Sequence, residues 1–258
     1  GKLLSVNGNA SFAQGTVLTL SLSDQAYGPL TVAGTLTFVD GSTLNIANFT
    51  GVYGQSRIVA YAKSISGMPG SNITGTDTGV DYLTTQLNKI KQGAGEALEA
   101  TVGLTWYDAH KTGTEYDKAH GTFTIANAEK FELDAALNNR VIDSGDSFKL
   151  WDGQSLTKAG TGTLALLAVN GYTGATNLNG GTLALVGDGS IAASKGLTIN
   201  NANAVFDISG VSANNGVVIL QSLNSSNNNG GTVQLGSNTL KIWSGSYDGV
   251  IGGGGGLI

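Results

Sequence analysis

Cysteine is absent from all 258 residues, so neither a disulfide nor a thiolate metal site is available. Charge is scarce: Lys, Arg, Asp and Glu make up 12% of the chain, roughly half the usual globular share. The net charge of −5 leaves no basic stripe to neutralise phosphates, which argues against nucleic acid and against electrostatic docking on anionic lipid. No apolar run approaches the roughly 18 residues of a membrane helix, and residues 1–20 lack the charged start and apolar core of a signal peptide. What is present is glycine, at 40 residues about twice the expected share, with Thr, Ser and Asn supplying the polar surface. Hydrophobic residues reach 40%, enough for a folded chain. Many corners that need positive φ, joined by flat faces of short polar side chains, account for both excesses.

The few charges are unevenly placed. Twenty-two of the 31 lie from Lys63 to Lys158, and the flanks are almost bare. This divides the chain into N-terminal coils over 1–61, a charged excursion over 62–120, and further coils over 121–258. In the first part, residues 18–22, 30–32, 36–39, 44–46 and 58–62 read as short strands separated by glycine turns. Leu83, Leu87 and Ile90 fall at i, i+4 and i+7, with Gly93 as a stop, so the spacing predicts a helix over 82–92. Residues 104–107 (LTWY) read as a strand that re-enters the coil, followed by a loop over 108–118.

The most informative stretch is 160–185, GTGTLALLAVNGYTGATNLNGGTLAL. Two Gly-Thr-Leu strand starts stand 19 residues apart, about one coil of a parallel β-helix and too short for a βαβ unit. GTLTF at 34–38 and GTFTI at 121–125 are degenerate copies of the same unit. The order Gly-x-Gly-Thr-Leu-x-Leu, Tyr-Thr-Gly, Asn-Gly-Gly-Thr-Leu resembles the passenger-associated repeat of bacterial autotransporters. Residues 54–67 and 120–137 resemble passenger segments too, as does the Trp-Asp-Gly step at Trp151, Asp152 and Gly153, which has a second copy running from Trp243 to Asp248. The resemblance implies an all-β fold, a right-handed parallel β-helix (solenoid) with an inserted mixed, partly helical excursion. It also implies a fragment of a longer passenger of the adhesin class, displayed extracellularly on the bacterial surface. Few or no cysteines suit that export route, because a periplasmic disulfide would block passage.

Chemistry-bearing motifs are weak. Ser-Gly-Asp-Ser at 144–147 resembles a serine-protease signature, but Phe148 replaces the closing glycine and only His110 and His120 exist as bases, so a turn is the plainer reading. His110 and His120 with Asp108, Glu115 and Asp117 match no metal-ligand spacing. The Asp-Gly turns at Asp40, Asp152, Asp188 and Asp248 are too scattered for a calcium roll. Glycines 252–256 lack the Lys-Ser/Thr of a phosphate loop. Polysaccharide-cleaving β-helices use clustered carboxylates or a basic catalytic residue in a groove, and the coils here carry too few charges for either. The expectation is therefore no enzyme, no cofactor and no metal. A specific contact surface is expected in the excursion, at Tyr82, Lys89, Lys91, Tyr107, His110, Lys111, Glu115 and Tyr116. Trp106 reads instead as a cap on the coil interior, and residues 224–231 as a flexible corner. The implied partners are a host-cell receptor or glycan, or another copy of the chain, with no nucleic acid and no membrane insertion. A stalk for a binding tip elsewhere and a released toxin are the alternatives.

Overall fold

The computed structural model describes residues 3–22, 27–47, 53–73, 80–107, 110–112, 115–117, 119–127, 129–140, 151–226 and 230–258, without the side chains of 71–73, 110–112 and 115–117. The Ser-Gly-Asp-Ser turn at 144–147 and part of the corner at 224–231 lie outside the described residues. The chain forms two compact units, Gly1–Lys118 and Ala119–Ile258.

In the second unit, glycine and asparagine corners break the apolar runs into strands of three to seven residues. From Thr122 to Val211 these strands alternate between two sheets, and each pairs in parallel with the strand before last. One sheet contains Thr122–Thr124, Leu156–Ala159, Ala175–Leu178, Gly196–Ile199 and Leu223–Ser225. The other contains Lys130–Leu133, Thr163–Leu166, Thr182–Gly187, Val205–Val211, Thr232–Gln234 and Val250–Gly252. Val217–Leu220 and Thr239–Ile242 form a further parallel pair. This connectivity is consistent with a β-helix: a chain wound so that each turn templates the next.

Period-2 alternation decides which side chains the winding buries. Phe131, Leu164, Leu183, Phe206, Val233 and Ile251 stack in one column; the middle four are buried, while the two ends are half-buried. Their neighbours Lys130, Thr163, Thr182, Val205, Thr232 and Val250 form the next column, on the outer face. At the corner before Thr182, Gly181 has φ +61, and a Cβ there would collide with the Gly162 carbonyl of the preceding turn. Only glycine permits that approach.

The first unit starts the same way. Leu4–Val6, Ala10–Phe12, Leu30–Phe38 and Ser56–Ser66 pair in parallel, and Val17–Ser21, Thr43–Ala47 and Gly70–Ile73 make a second parallel sheet. Leu20, Leu44 and Ile46 from the second sheet share a core with Leu30, Leu36, Phe38, Val59 and Ile65 from the first.

Beyond Gly70–Ile73 the pairing changes sense. Leu83–Gln92 and Gly95–Leu104 form an antiparallel hairpin whose second strand lies antiparallel against Ser56–Ser66. This corrects the helix expected over 82–92. Leu83 and Leu87, four apart, lie on one side of a strand as readily as on one side of a helix, and both pack against the core. Ile90, the residue that favoured helical spacing, is not among those packed there. Thr84 and Thr85 favour the extended chain, and Gly93, at φ +56, turns the hairpin rather than ending a helix. The strand expected at 104–107 is corrected too: Leu104 ends a strand, and Thr105, Trp106 and Tyr107 form a turn. Trp106 is fully buried.

The inward and outward columns predict opposite costs. Leu183→Ala should lower the unfolding free energy by about 3 kcal/mol, whereas Thr182→Ala should cost under about 1 kcal/mol, measured by urea unfolding. Equal costs would contradict the assignment of faces.

Candidate contact surfaces

The hairpin carries two of the residues expected to contact a partner, Lys89 and Lys91, and the others lie just before or after it. Tyr82, just ahead of it, is only 6% exposed, and its carbonyl accepts the Thr105 N–H at 3.0 Å. Lys91, with 84% of its side chain exposed, lies 3.1 Å from Glu96 Oε1. Lys89 Nζ donates to the Ile65 carbonyl at 3.2 Å. Tyr107 is 36% exposed in the turn that follows. Backbone pairing brings the remaining residues together: His110–Thr112 and Glu115–Asp117 form a small antiparallel ladder that sets Lys111 opposite Tyr116.

Glu96, not among the residues expected to contact a partner, is the most engaged of the hairpin's charges. Its Oε2 accepts the Ile65 N–H at 2.6 Å. That bond, then the Lys91 hydrogen bond, holds its pKa below the ordinary carboxylate value. A signal for it exists: in GEALEATVGL, Glu96 interrupts an otherwise small and apolar strand start beside two lysines.

A second surface lies on the outer face of the second unit. Thr122, Thr157, Asn177, Thr198 and Asn224 form one half-buried column without a charge. Thr163, Thr182, Val205 and Thr232 form another. At the corners the same residue types bond from turn to turn: Asn200 Nδ2 donates to Asn179 Oδ1 at 2.8 Å, and Thr173 Oγ1 donates to Gln154 Oε1 at 2.9 Å.

Residues 156–185 match the passenger-associated-transport-repeat family. A stretch of 95 residues, 37% of this chain, is 36% identical to the adhesin BmaC autotransporter of Brucella suis biovar 1 (strain 1330). These matched stretches are similar to autotransporter passenger sequence. The aligned stretch covers only 3% of that relative's length. That similarity implies export across the outer membrane to the cell surface. Among the described residues, no helix is long and apolar enough to cross a membrane.

The passenger repeat holds an unusual interior group. Lys158 is fully buried, in an inward column between Phe123 and Leu178. Its ammonium donates to the carbonyls of Ala159 at 2.7 Å, Gly160 at 3.0 Å and, one turn on, Gly180 at 3.0 Å. Burial pushes its pKa down to about 8, while the three acceptors resist that fall. Nearby, Tyr172 Oη, Thr176 Oγ1 and Ser194 Oγ form a buried hydroxyl chain with spacings of 2.7 and 2.9 Å. Burial raises the Tyr172 pKa, and burial with the Asp248 charge pushes Tyr247 up to about 12.

The two Trp-Asp-Gly steps diverge. Trp151 donates its indole N–H to the Ser155 carbonyl at 2.8 Å, and Asp152 closes the turn by accepting the Gln154 and Ser155 amides at 2.9 and 2.7 Å. Burial opposes the Asp152 charge, but the Ser155 hydroxyl and these amides outweigh it and lower its pKa. Trp243 is 63% exposed, with Lys241 Nζ 4.4 Å from its ring centroid.

Lys158 sets a pH signature. The folded chain releases this proton near pH 8 and the unfolded chain near 10.5, so the unfolded state holds more protons between those values. Unfolding free energy should therefore rise from about pH 8 to about pH 10. Above about pH 10, Tyr172 and Tyr247 reverse the trend, because the unfolded tyrosines ionise first. Lys158→Met should flatten the rise in urea titrations run at each pH; a rise that survives the substitution excludes Lys158 as its source.

Proposed function

We propose that this passenger segment is a non-enzymatic adhesive surface, with right-handed β-helix coils at 1–61 and 121–258 and the excursion at 62–120 between them. Nearly all parallel strand crossovers are right-handed, which supports that hand. The adhesive reading rests on the uncharged outer column of Thr122, Thr157, Asn177, Thr198 and Asn224. A low-charge row of hydrogen-bonding side chains on a rigid support suits many weak contacts, with a host-cell receptor, a glycan or a facing copy. It also minimises repulsion between like molecules. The relative named as an adhesin agrees with this reading. Tyr107, His110, Lys111, Glu115 and Tyr116 are proposed as further contacts from the excursion.

Deleting the excursion is a poor test. It would strip Gly95–Leu104 from Ser56–Ser66 and remove Leu98, Ala100 and Val102 from the core they share with Val59 and Ala60. Point changes are cleaner. In the full passenger displayed on a non-aggregating cell, replacing Thr157, Asn177 and Thr198 together by Lys should reduce host-cell attachment or cell settling at least about tenfold through multivalent loss. Tyr107→Ala with Lys111→Ala and Tyr116→Ala measures the excursion's share. Attachment and settling that survive both sets in a folded, displayed passenger would refute the proposal.

A further inference from the structure

Between Ser190 and Ile258 the sequence carries four charged residues: Lys195, Asp207, Lys241 and Asp248. The winding gathers the two lysines at one corner. The Ser222 hydroxyl donates to the Lys195 carbonyl, and the Leu197 N–H returns to the Ser222 carbonyl at 2.9 Å. One turn on, the Ser244 hydroxyl donates to the Gln221 carbonyl and the Leu223 N–H to the Ser244 carbonyl, both at 3.0 Å. Lys195, Gln221 and Trp243 therefore follow one another along this corner over two turns, roughly 10 Å. The aspartates lie elsewhere: Asp207 is on Val205–Val211 in the other sheet, and the Asp248 N–H donates to Ser225 Oγ at 3.1 Å.

The backbone at this corner is fixed, while its side chains face solvent. The Trp243 N–H donates to the Leu220 carbonyl at 3.2 Å, and the exposed indole carries Lys241 Nζ over one face. Lys195 is exposed, and among the described residues the ion pairs are Lys91 with Glu96 and Lys130 with Glu132, so neither corner lysine has a carboxylate partner there. Gln221 donates its amide to the Ala192 carbonyl at 3.1 Å, which holds the side chain and leaves Oε1 to accept. A flat ring, two ammonium groups and an amide acceptor suit a ligand with an apolar face, an acid and hydroxyls. A pyranose offers a C–H face to the indole and rim hydroxyls to the amide oxygen, and a carboxylate on it pairs with an ammonium. Phosphate has no face to stack. The exposed Ile258 lies one strand beyond Lys241, which makes a facing copy the rival occupant, but such a face would set lysine against lysine.

We propose that Lys195, Gln221, Lys241 and Trp243 form a subsite for a carboxylated sugar, a uronic or sialic acid unit of a glycan, stacked on Trp243 with its carboxylate drawn to the lysines. This deepens the adhesive reading by naming a ligand class, on a corner separate from the outer columns. The lysine changes at Thr157, Asn177 and Thr198 leave Trp243 untouched, so loss of attachment there and loss of sugar binding here are separate results.

The test is calorimetric titration of the 258-residue chain with trigalacturonate, sialyllactose and, as the neutral control, lactose, followed in parallel by tryptophan emission. At least one acidic sugar should bind at least about tenfold more tightly than lactose, weaken with added salt, and shift the emission of the exposed tryptophan to the blue. Binding of trigalacturonate alone assigns a uronate, and of sialyllactose alone a sialate. Trp243→Ala should weaken the acidic sugar at least about tenfold, whereas Trp243→Phe keeps a stacking face and most of the binding. Lys195→Gln with Lys241→Gln should bring the acidic sugars down to the lactose level and remove the salt dependence. These are surface changes, so each variant should unfold with the parent in urea. Acidic sugars that bind no better than lactose overturn the proposal, as does full affinity in Trp243→Ala. A dimer in sedimentation that Trp243→Ala dissolves also overturns it, and gives the surface to a second copy.

Discussion

Parallel backbone pairing between one turn of the chain and the next is the interaction on which the other features depend. A strand of four residues such as Thr163–Leu166 cannot bury Leu164 and Leu166 alone. Both become inaccessible only because Lys130–Leu133 and Thr182–Gly187 lie on either side in register. Stability in such a stack is a sum over neighbouring turns, and each turn must offer the next an unobstructed edge. That requirement selects threonine and asparagine outside, leucine and phenylalanine inside, and glycine at corners where one carbonyl passes close beneath another.

The same requirement explains where charge is allowed. Lysine and glutamate on an edge discourage further pairing, because their solvation is lost when another strand arrives. Lys130 and Glu132 sit on Lys130–Leu133, the first strand of its sheet, and pair with each other at 2.6 Å. Lys89 and Lys91 sit on Leu83–Gln92, the last strand in the order of its sheet. The central strands of the long second-unit sheets are almost uncharged, and Lys158 on one of them points inward onto carbonyls. Charge density along this sequence therefore marks where stacking stops as much as where binding occurs, and the two meanings look alike until the strands are placed.

That ambiguity is where the sequence was least legible. The 19-residue repeat and most of the parallel strands could be read from pattern, because each depends on local alternation. The hairpin could not, because its strand state is decided by a partner edge on Ser56–Ser66 that no local window contains. The i, i+4 pair Leu83 and Leu87 satisfied both templates, and Ile90 tipped the reading the wrong way. Lys158 was legible in principle. In Leu-Thr-Lys-Ala it shares the parity of Leu156, which faces inward, but a lysine among buried positions is too rare to be credited without its three carbonyls in view. The two Trp-Asp-Gly steps show the converse: similar letters, with one indole tied to a turn and the other left in solvent beside Lys241.

Repetition has a further consequence. Thr163–Leu166 and Thr182–Gly187 both begin Thr-Leu-Ala-Leu, so apolar matching alone does not distinguish a correct turn from one displaced by a whole coil. The buried polar residues do. Asn170 accepts the Leu137 N–H from the turn before and donates to Ala168 in its own turn and Ser190 in the next. Asn238 donates to Ile208 and Val211, and Lys158 reaches forward to Gly180. A displaced coil would leave these groups buried without partners, at about 1–3 kcal/mol each, while costing the leucine columns little. In a stack whose apolar interior is nearly periodic, register is therefore specified by the few side chains that break the period.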